Sequence, residues 1–480
     1  MSDQPVASHD SGTPENLLSF MMTGWATPPT TPASPVEGAE RFAARRAALA
    51  RAFPGETLIV PTGHEKVRAN DTAYRFRPGT EFSYLTGNTE PDNILVLLAD
   101  GDRHAAALYC EPNPGKTDKT FFTDRTKGEL WVGPRLGLPQ TAQRYGVPTK
   151  SLGTLTDDLA ALARGPFRAL RGVDPVLDAA LPAQAERDAE LATALSEMRL
   201  IKDELEVREL RRAVEATHRA FDDVVRALPG AETERTVEGV FNLRARVDGN
   251  DCGYNTIAAS GPNACTLHWT RNDRRIGENE LLLLDAGVEA ETLYTADITR
   301  TLPISGRFTR EQREIYELVY AAQEAALAKC APGNDFLDPN RAAMDVLARG
   351  LERLGILASA DDALRDENLF YKRYSLHNVS HMLGLDVHDC ATARAENYKH
   401  GKLAPGMVLT VEPGLYFQLD DLTVPARYRG IGVRIEDDVL ITPAGVENLS
   451  AAIPREPDAV EAWVSSALAA SPAGVRRPSR

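Results

Sequence analysis

The chain has 480 residues, 43% of them hydrophobic and 26% charged, with a formal net charge of −15. That length supports two or three domains with separate cores, and the composition is that of a soluble protein. So acidic a surface repels phosphate backbones, so nucleic acid is not an expected partner.

No run of about eighteen apolar residues occurs, so no membrane-spanning helix is expected. The opening MSDQPVASHDSG has no basic region and the apolar run LLSFMM is short, so a secretory signal is not expected either. The cysteines Cys110, Cys252, Cys265, Cys330 and Cys390 are odd in number, widely spaced and without a CxxC. That argues against a disulfide framework or zinc ribbon and for a reducing cytoplasm.

In chain order, residues 1–38 are rich in Pro, Thr, Ser and Gly and end in ATPPTTPASPVEG, which predicts a disordered tail. Over residues 39–200, RFAARRAALARAF reads as a helix, and TLIVP, NILVLLAD and AAALYCEP read as strands. An α/β N-terminal domain is expected there. A second domain is expected over 201–455. Asp203 and Glu206 make a capping box at its start. Behind it Leu210, Val214, Phe221, Val225 and Leu228 recur at helical spacing, with Thr217 the one weakly polar residue on that face. Strand-like runs return at LLLLDAG, MVLTVEPG and GVRIEDDVLIT, between helical stretches at 310–330 and 340–355. Without strict βαβ alternation, the fold class is α+β. Residues 456–480, ending in ASPAGVRRPSR, read as a C-terminal tail.

Acids inside these apolar strands are the most informative feature. Asp285 closes LLLLD, Glu412 sits in VLTVEPG, and Glu436 sits in GVRIEDDVLI, with Asp297 nearby in TADITRT. A carboxylate in an apolar strand is costly unless it is paired or binds a metal. One such acid is better read as solvent-facing or as a partner of an arginine, and Arg300 and Arg434 are available. Four weaken that reading without excluding it. Four carboxylates and an imidazole form a hard, oxygen-rich set, suited to Mn²⁺, Mg²⁺ or Co²⁺ rather than structural zinc. Two ions sharing bridging carboxylates would neutralise them. A hairpin between Asp285 and Asp297 would return the second acid beside the first.

The stretch SLHNVSHMLGLDVHD holds three of the nine histidines. His377 and His381 are four apart, the spacing of one helical face. The zincin motif H-E-x-x-H is a poor match, because Asn378 stands where its general base would be. Gly384, Val379 and Val387 predict a short helix or turn running into an extended segment, with His388 on a different element. Any one of these imidazoles, like His268 in TLHWTRND, is by itself better read as structural.

Taken in order, YNTIAASGPNACTLHWTRND, LLLLDAG, ADITRTLP, SLHNVSHMLGLDVHD, GMVLTVEPGLY and YRGIGVRIEDDVLIT closely resemble aminopeptidase P. This is the Xaa-Pro aminopeptidase family of bacteria. The resemblance runs from about residue 40 to 455 and includes VRANDTAYRFRPGTEFSYLTGNTEPDNILVLL and GELWVGPRLG. It implies a pita-bread (creatinase/aminopeptidase-like) catalytic domain preceded by a smaller α/β domain. It implies that Asp285, Asp297, His381, Glu412 and Glu436 bind two Mn²⁺ ions, Co²⁺ or other divalent ions being alternatives, with Asp297 and Glu436 bridging. It further implies catalytic roles for Glu412, His268, His377 and His388, the histidines contacting substrate or the tetrahedral intermediate. Tyr416 and Arg434 resemble residues lining a pocket for proline, and Asp71 an acid near the entrance. Trp131 matches a tryptophan that reaches a neighbouring subunit's site, which implies a homo-oligomer, a dimer or tetramer.

The implied activity is release of the N-terminal residue from peptides with proline second, by a hydroxide bridged between two metal ions. Glu412 would pass the water's proton to the leaving nitrogen, and the metal and His388 would stabilise the oxyanion. The substrate amine would sit among the carboxylates near Asp285. Prolidase, which cleaves Xaa-Pro dipeptides with the same ligands, is the alternative. Metal-free creatinase-like enzymes and inactive binding proteins on the fold lack the ligand set. The departures fall on other positions. The Asp285–Asp297 interval is one residue longer than in relatives, Ala296 and Asn378 replace glycines, Met382 replaces a frequent tryptophan, and NPGKTDKTFFTDRTKGE is expanded.

Overall fold

The structure, a computed structural model, describes residues 12–26, 32–70, 72–101 and 103–470. Contacts divide the chain into two compact units, Met1–Ala192 and Thr193–Arg480.

Part of the expected N-terminal tail is ordered: Glu15–Met21 forms helix α1 with Leu18 buried. Trp25 then packs near Phe121 and Phe122, at ring separations of 6.5 and 6.3 Å. The apolar run LLSFMM and one tryptophan give this segment something to bury, which an average over a Pro- and Thr-rich stretch hides. Residues 1–11 and 27–31 lie outside the described residues. Helix α2 (Ala39–Ala52) buries Arg45 and Arg46. Their guanidinium groups donate to Tyr84 O and Leu85 O, at 3.2 and 2.8 Å. Those carbonyls lie in the last turn of the helix Thr80–Thr86, where a cation is favoured.

The first unit is built on strands β1 (Thr57–Pro61), β2 (Ile94–Asp100), β3 (Arg103–Cys110), β4 (Thr149–Ser151) and β5 (Phe167–Ala169), in the order β4-β3-β2-β1-β5. β1 runs antiparallel to β2 and parallel to β5. Ile59, Val96, Tyr109 and Phe167 share its core. His64 is held between two acids, Nδ1 2.5 Å from Asp92 and Nε2 3.1 Å from Asp174.

In the second unit, helix α3 (Glu204–Ala227) opens on the expected capping box, Asp203 accepting from Glu206 N–H and Glu206 from Asp203 N–H. Leu210, Val214, Phe221 and Val225 are buried. Thr217 is tolerated among them because its hydroxyl donates to Ala213 O at 2.8 Å and accepts from Val288 N–H at 2.9 Å. Leu228 falls in the 3₁₀ turn that follows the helix. Helices α4 (Glu234–Asp248), α5 (Arg310–Leu327) and α6 (Asp338–Arg353) contribute to the same core. Strands β6 (Ile257–Ser260), β7 (Leu281–Ala286) and β8 (Ile298–Pro303) form an antiparallel sheet with β7 in the middle. That central place explains the unbroken run of leucines, all buried. Strands β9 (Val408–Val411), β10 (Gly414–Tyr416), β11 (Gly432–Arg434), β12 (Asp437–Thr442) and β13 (Gly445–Asn448) form a sheet β9-β12-β13 and a ribbon β10-β11.

Two expectations are corrected here. Of the short helix or turn expected in SLHNVSHMLGLDVHD, the helix is absent, and the extended part pairs with the free edge of β9. Glu412 N–H meets Val379 O at 2.8 Å, Thr410 N–H meets His381 O at 3.0 Å, and Leu383 N–H meets Val408 O at 3.0 Å. An edge strand needing partners decides the conformation over the i, i+4 spacing. The expected C-terminal tail carries helix α7 (Pro457–Ala470), with Val460 and Val464 buried, while 471–480 lie outside the described residues.

The histidine stretch ends on a buried ion cluster. Asp389 is 2.9 Å from Arg199 Nε and 3.1 Å from Lys202 Nζ, and all three are buried. A Cβ at Gly384 would run into Asp389 Oδ2. Removing one partner strands the other charges in the interior, so Lys202→Met is expected to cost about 3–5 kcal/mol, read by denaturant unfolding. In the first unit, burial opposes the charge on His64, but Asp92 and Asp174 outweigh it and raise its pKa. A raised folded pKa gives stability that is complete below the ordinary histidine value and lost as pH rises through the folded one. Thermal unfolding is therefore expected to show a decline above about pH 6.5, and His64→Gln to remove that component.

Candidate metal centre

Asp285 is the next-to-last residue of β7, opposite Thr299 of β8, and Ala286 faces Ile298. This register returns Asp297 to the mouth of the hairpin, beside Asp285. The hairpin needs Gly287, because a Cβ there would collide with Ala296 O. The Tyr254 hydroxyl touches both acids, 2.6 Å from Asp285 Oδ1 and 2.5 Å from Asp297 Oδ1. Its one proton serves one carboxylate at a time, so the pair faces each other across a single donor.

The other acids come from the second sheet. Glu412 follows β9, and Pro413 ends the strand there. Glu436 precedes β12, with its N–H 3.0 Å from Thr299 O and its Oε2 2.6 Å from Thr299 Oγ1. His381 Nε2 lies 3.3 Å from Asp297 Oδ2 and 3.5 Å from Glu412 Oε1. Asp297, His381 and Glu436 each offer a ligand atom within 4.8 Å of the others. All five of these groups line one cavity of about 530 Å³, together with His268, His377, His388 and Arg434.

The electrostatics are those of anions crowded out of water. Burial raises the pKa of Glu436 well above the carboxylate range, and the charges of Asp297 and Glu412 add to it. Burial pushes Glu412 up to about 8, against the pull of His381 and Arg434. Burial also raises Asp285, opposed by Arg434 and reinforced by Asp297. For His381 burial works downward, yet Asp297 and Glu412 carry it up to about 9. Among the described residues lining the cavity, Arg434 is the only fixed cation. Carboxylates in such excess, converging with an imidazole at ligand spacing, fit hard divalent cations, which would replace the protons these groups otherwise hold.

The remaining predicted residues divide. Arg434 contacts Asp285 and donates to Thr299 Oγ1 at 3.1 Å and to the Tyr416 hydroxyl at 3.0 Å. Tyr416 is 2.7 Å from His377 Nε2, and His377 Nδ1 is 3.5 Å from Glu412 Oε2. Burial, with Arg434 nearby, pushes His377 down to about 4, so it is a neutral imidazole. His388 is lowered by burial and by His381, and the two rings stand 4.3 Å apart edge to face. His268 is exposed at the cavity wall. Trp131 lies in the first unit, half exposed, and is not among the lining residues. Asp71 lies outside the described residues. Arg300 does not serve the four acids' side chains: fully buried, it pairs with Asp437 at 2.7 Å and binds the Glu436 carbonyl at 2.6 Å.

Sequence reasoning assigned no role to Tyr254 or Thr299. Nothing in spacing marks them, since each acts through a neighbour on another strand.

Two family models match the chain: metallopeptidase family M24 over residues 208–443, and the aminopeptidase P N-terminal domain over 42–167. The chain is 50% identical over 473 residues to Xaa-Pro aminopeptidase 1 of Streptomyces coelicolor, covering 97% of this chain and 96% of that one. It is similar to the structure of Escherichia coli aminopeptidase P with the inhibitor Pro-Leu, with a TM-score of 0.81 and 32% identity, covering 90% of this chain and 99% of that one. A zinc-substituted form of the same E. coli enzyme, in complex with product, matches with a TM-score of 0.80 and 32% identity, covering 90% and 99%.

A ligand that binds only the folded chain stabilises it, by about 2.7 kcal/mol at a hundred times Kd. Adding a divalent ion to chelator-treated protein is expected to raise the unfolding midpoint, and Glu436→Gln to lose most of the rise, as read by calorimetry.

Proposed function

The chain belongs to metallopeptidase family M24, with an aminopeptidase P N-terminal domain ahead of a pita-bread catalytic unit, and from this we infer its mechanism. It is an Xaa-Pro aminopeptidase, a hydrolase that releases the first residue of peptides with proline in second place. We propose that Asp285, Asp297, His381, Glu412 and Glu436 would hold two divalent ions, manganese in the native enzyme. The observation that carries this is the convergence of four carboxylates and the His381 imidazole on a single cavity whose one fixed cation, among the described lining residues, is Arg434. When bound, such ions acidify water and polarise the peptide carbonyl.

The protein's own groups supply the rest. An Xaa-Pro bond is a tertiary amide without an N–H, so recognition falls on the ring and the flanking groups. Tyr416, Arg434 and His377 are joined by hydrogen bonds in a row, which suits them to form the wall against the proline. Glu412 carries a proton from water to the leaving nitrogen. Its position between His377 and His381 supports that role. His388 and His268 donate to the oxygen that gains charge, and their place on the cavity wall supports this. The substrate's free amine is drawn to the carboxylates near Asp285, which restricts cleavage to chain ends.

In the same reading the enzyme works as a homo-oligomer in the cytoplasm. The exposed Leu130, Trp131 and Val132 are consistent with a subunit contact at Trp131, whose Nε1 donates to Phe122 O at 2.7 Å. The five cysteines are unpaired thiols, as a reducing compartment favours. No described helix is long and apolar enough to cross a membrane.

With Arg-Pro-Pro as substrate, Glu412→Ala is expected to lose at least about 10²-fold in turnover with its circular dichroism unchanged. Manganese is expected to restore chelator-treated enzyme more fully than zinc. Substantial turnover by Glu412→Ala in manganese-replete buffer would sink the proposed role.

A further inference from the structure

Two buried side chains behind the metal centre have no role assigned above. Thr410 and Asp438 face each other directly across β9 and β12, and neither is exposed at all. The two-residue period of a strand sets Thr410 on the side that continues to Glu412, and Asp438 on the side that begins at Glu436. Each holds the backbone of a different predicted ligand. Thr410 Oγ1 accepts the His381 N–H at 3.2 Å. Asp438 Oδ2 accepts the Asp297 N–H at 3.1 Å. For both N–H groups the acceptor is a side chain rather than a strand carbonyl.

We propose that Thr410 and Asp438 act together as a cross-strand clamp, positioning residues that fix His381 and Asp297 relative to each other for metal binding. The proposal rests on the reading of this site as a metal centre. His381 arrives on a segment outside regular helix or strand, and Asp297 stands just before β8, so neither is fixed by its own element. The clamp is rigid. Asp438 N–H donates to Ser450 Oγ at 3.0 Å, Ser450 Oγ donates to Asp437 at 2.9 Å, and Asp437 is held by Arg300. Asp438 Oδ1 is buried without a hydrogen-bond partner in the described structure. A strand position whose only task was packing would not keep a half-satisfied carboxyl, because leaving it unpaired is costly. Groups that hold metal ligands from behind set ligand orientation, and losing one typically costs 10–100-fold in affinity.

The test is Mn²⁺ affinity of the full chain by titration calorimetry, with thermal unfolding of the chelated protein alongside. Thr410→Val keeps the shape and loses the acceptor. It is expected to weaken binding by about 10–100-fold while the chelated protein unfolds at nearly its usual temperature. Thr410→Ser keeps the hydroxyl and is expected to bind nearly as tightly as the parent. Asp438→Asn keeps an acceptor for the Asp297 N–H and is expected to outperform Asp438→Ala, which carries the same comparison should Thr410→Val not fold. Unchanged affinity in Thr410→Val, or equal loss in the serine and valine variants, overturns the clamp. Asp297→Asn separates the two readings. If it abolishes binding while Thr410→Val does not, the clamp alone fails. If it too binds normally, the metal-centre reading fails with it.

Discussion

Repulsion among buried carboxylates is the constraint around which the second unit is organised. Asp285, Asp297, Glu412 and Glu436 share one cavity with one guanidinium and one imidazole, His381, whose charge is held by those acids. Isolated buried anions of this kind neutralise by taking protons, and the raised pKa values of Asp285, Glu412 and Glu436 show that tendency. An arrangement so unfavourable in itself persists because the surrounding sheets over-determine it. Asp285 lies in a paired strand, Glu412 and Glu436 stand at strand ends where backbone bonds hold them independently of their charge, and Asp297 stands at a hairpin mouth with its N–H held by the Asp438 side chain.

The same unit uses its other buried charges differently. Arg300 satisfies the carbonyls of Glu436, Ile453 and Pro454 and pairs with Asp437, so it stitches strands together without entering the cavity. Arg199 and Lys202 pin Asp389, immediately after His388, and burial against two cations holds that carboxyl below its usual range despite the cost of desolvation. Among the described residues lining the cavity, Arg434 is the one that faces inward, linking Asp285 to Tyr416 and through it to His377. The protein thus separates cations that hold backbone from the one that reaches the chemistry.

The three histidines of one short stretch are distinguished by their neighbours. His381 lies against two acids and is pushed up to about 9, while His377 lies beside Arg434 and is pushed down to about 4. His388 is lowered and stands edge-on to His381. Identical side chains in one segment cannot share a single task when their fields differ this much.

Much of this was legible in the linear chain. The run LLLLD, the T-x-E-P and E-D-D segments and the capping box at Asp203 each carry a local signal. Apolar strands bury, acids within them need a reason, and helix starts are set by neighbours three residues apart. Composition misjudged the tails, since Trp25 beyond α1 and Trp463 of α7 meet partners far along the chain. Spacing left the histidine stretch open between a short helix and a turn, because the free edge of β9 that settles it was nearby only after folding. The roles of Tyr254 between two acids, Thr299 beneath Glu436 and Asp438 behind Asp297 could not be read from the segments that hold them. The sequence by itself determined which residues are the candidates for the chemistry, because their type and immediate context are local properties. Only the tertiary structure decided what each of them faces, because a hydrogen bond or a field depends on groups brought together across sheets from distant parts of the chain.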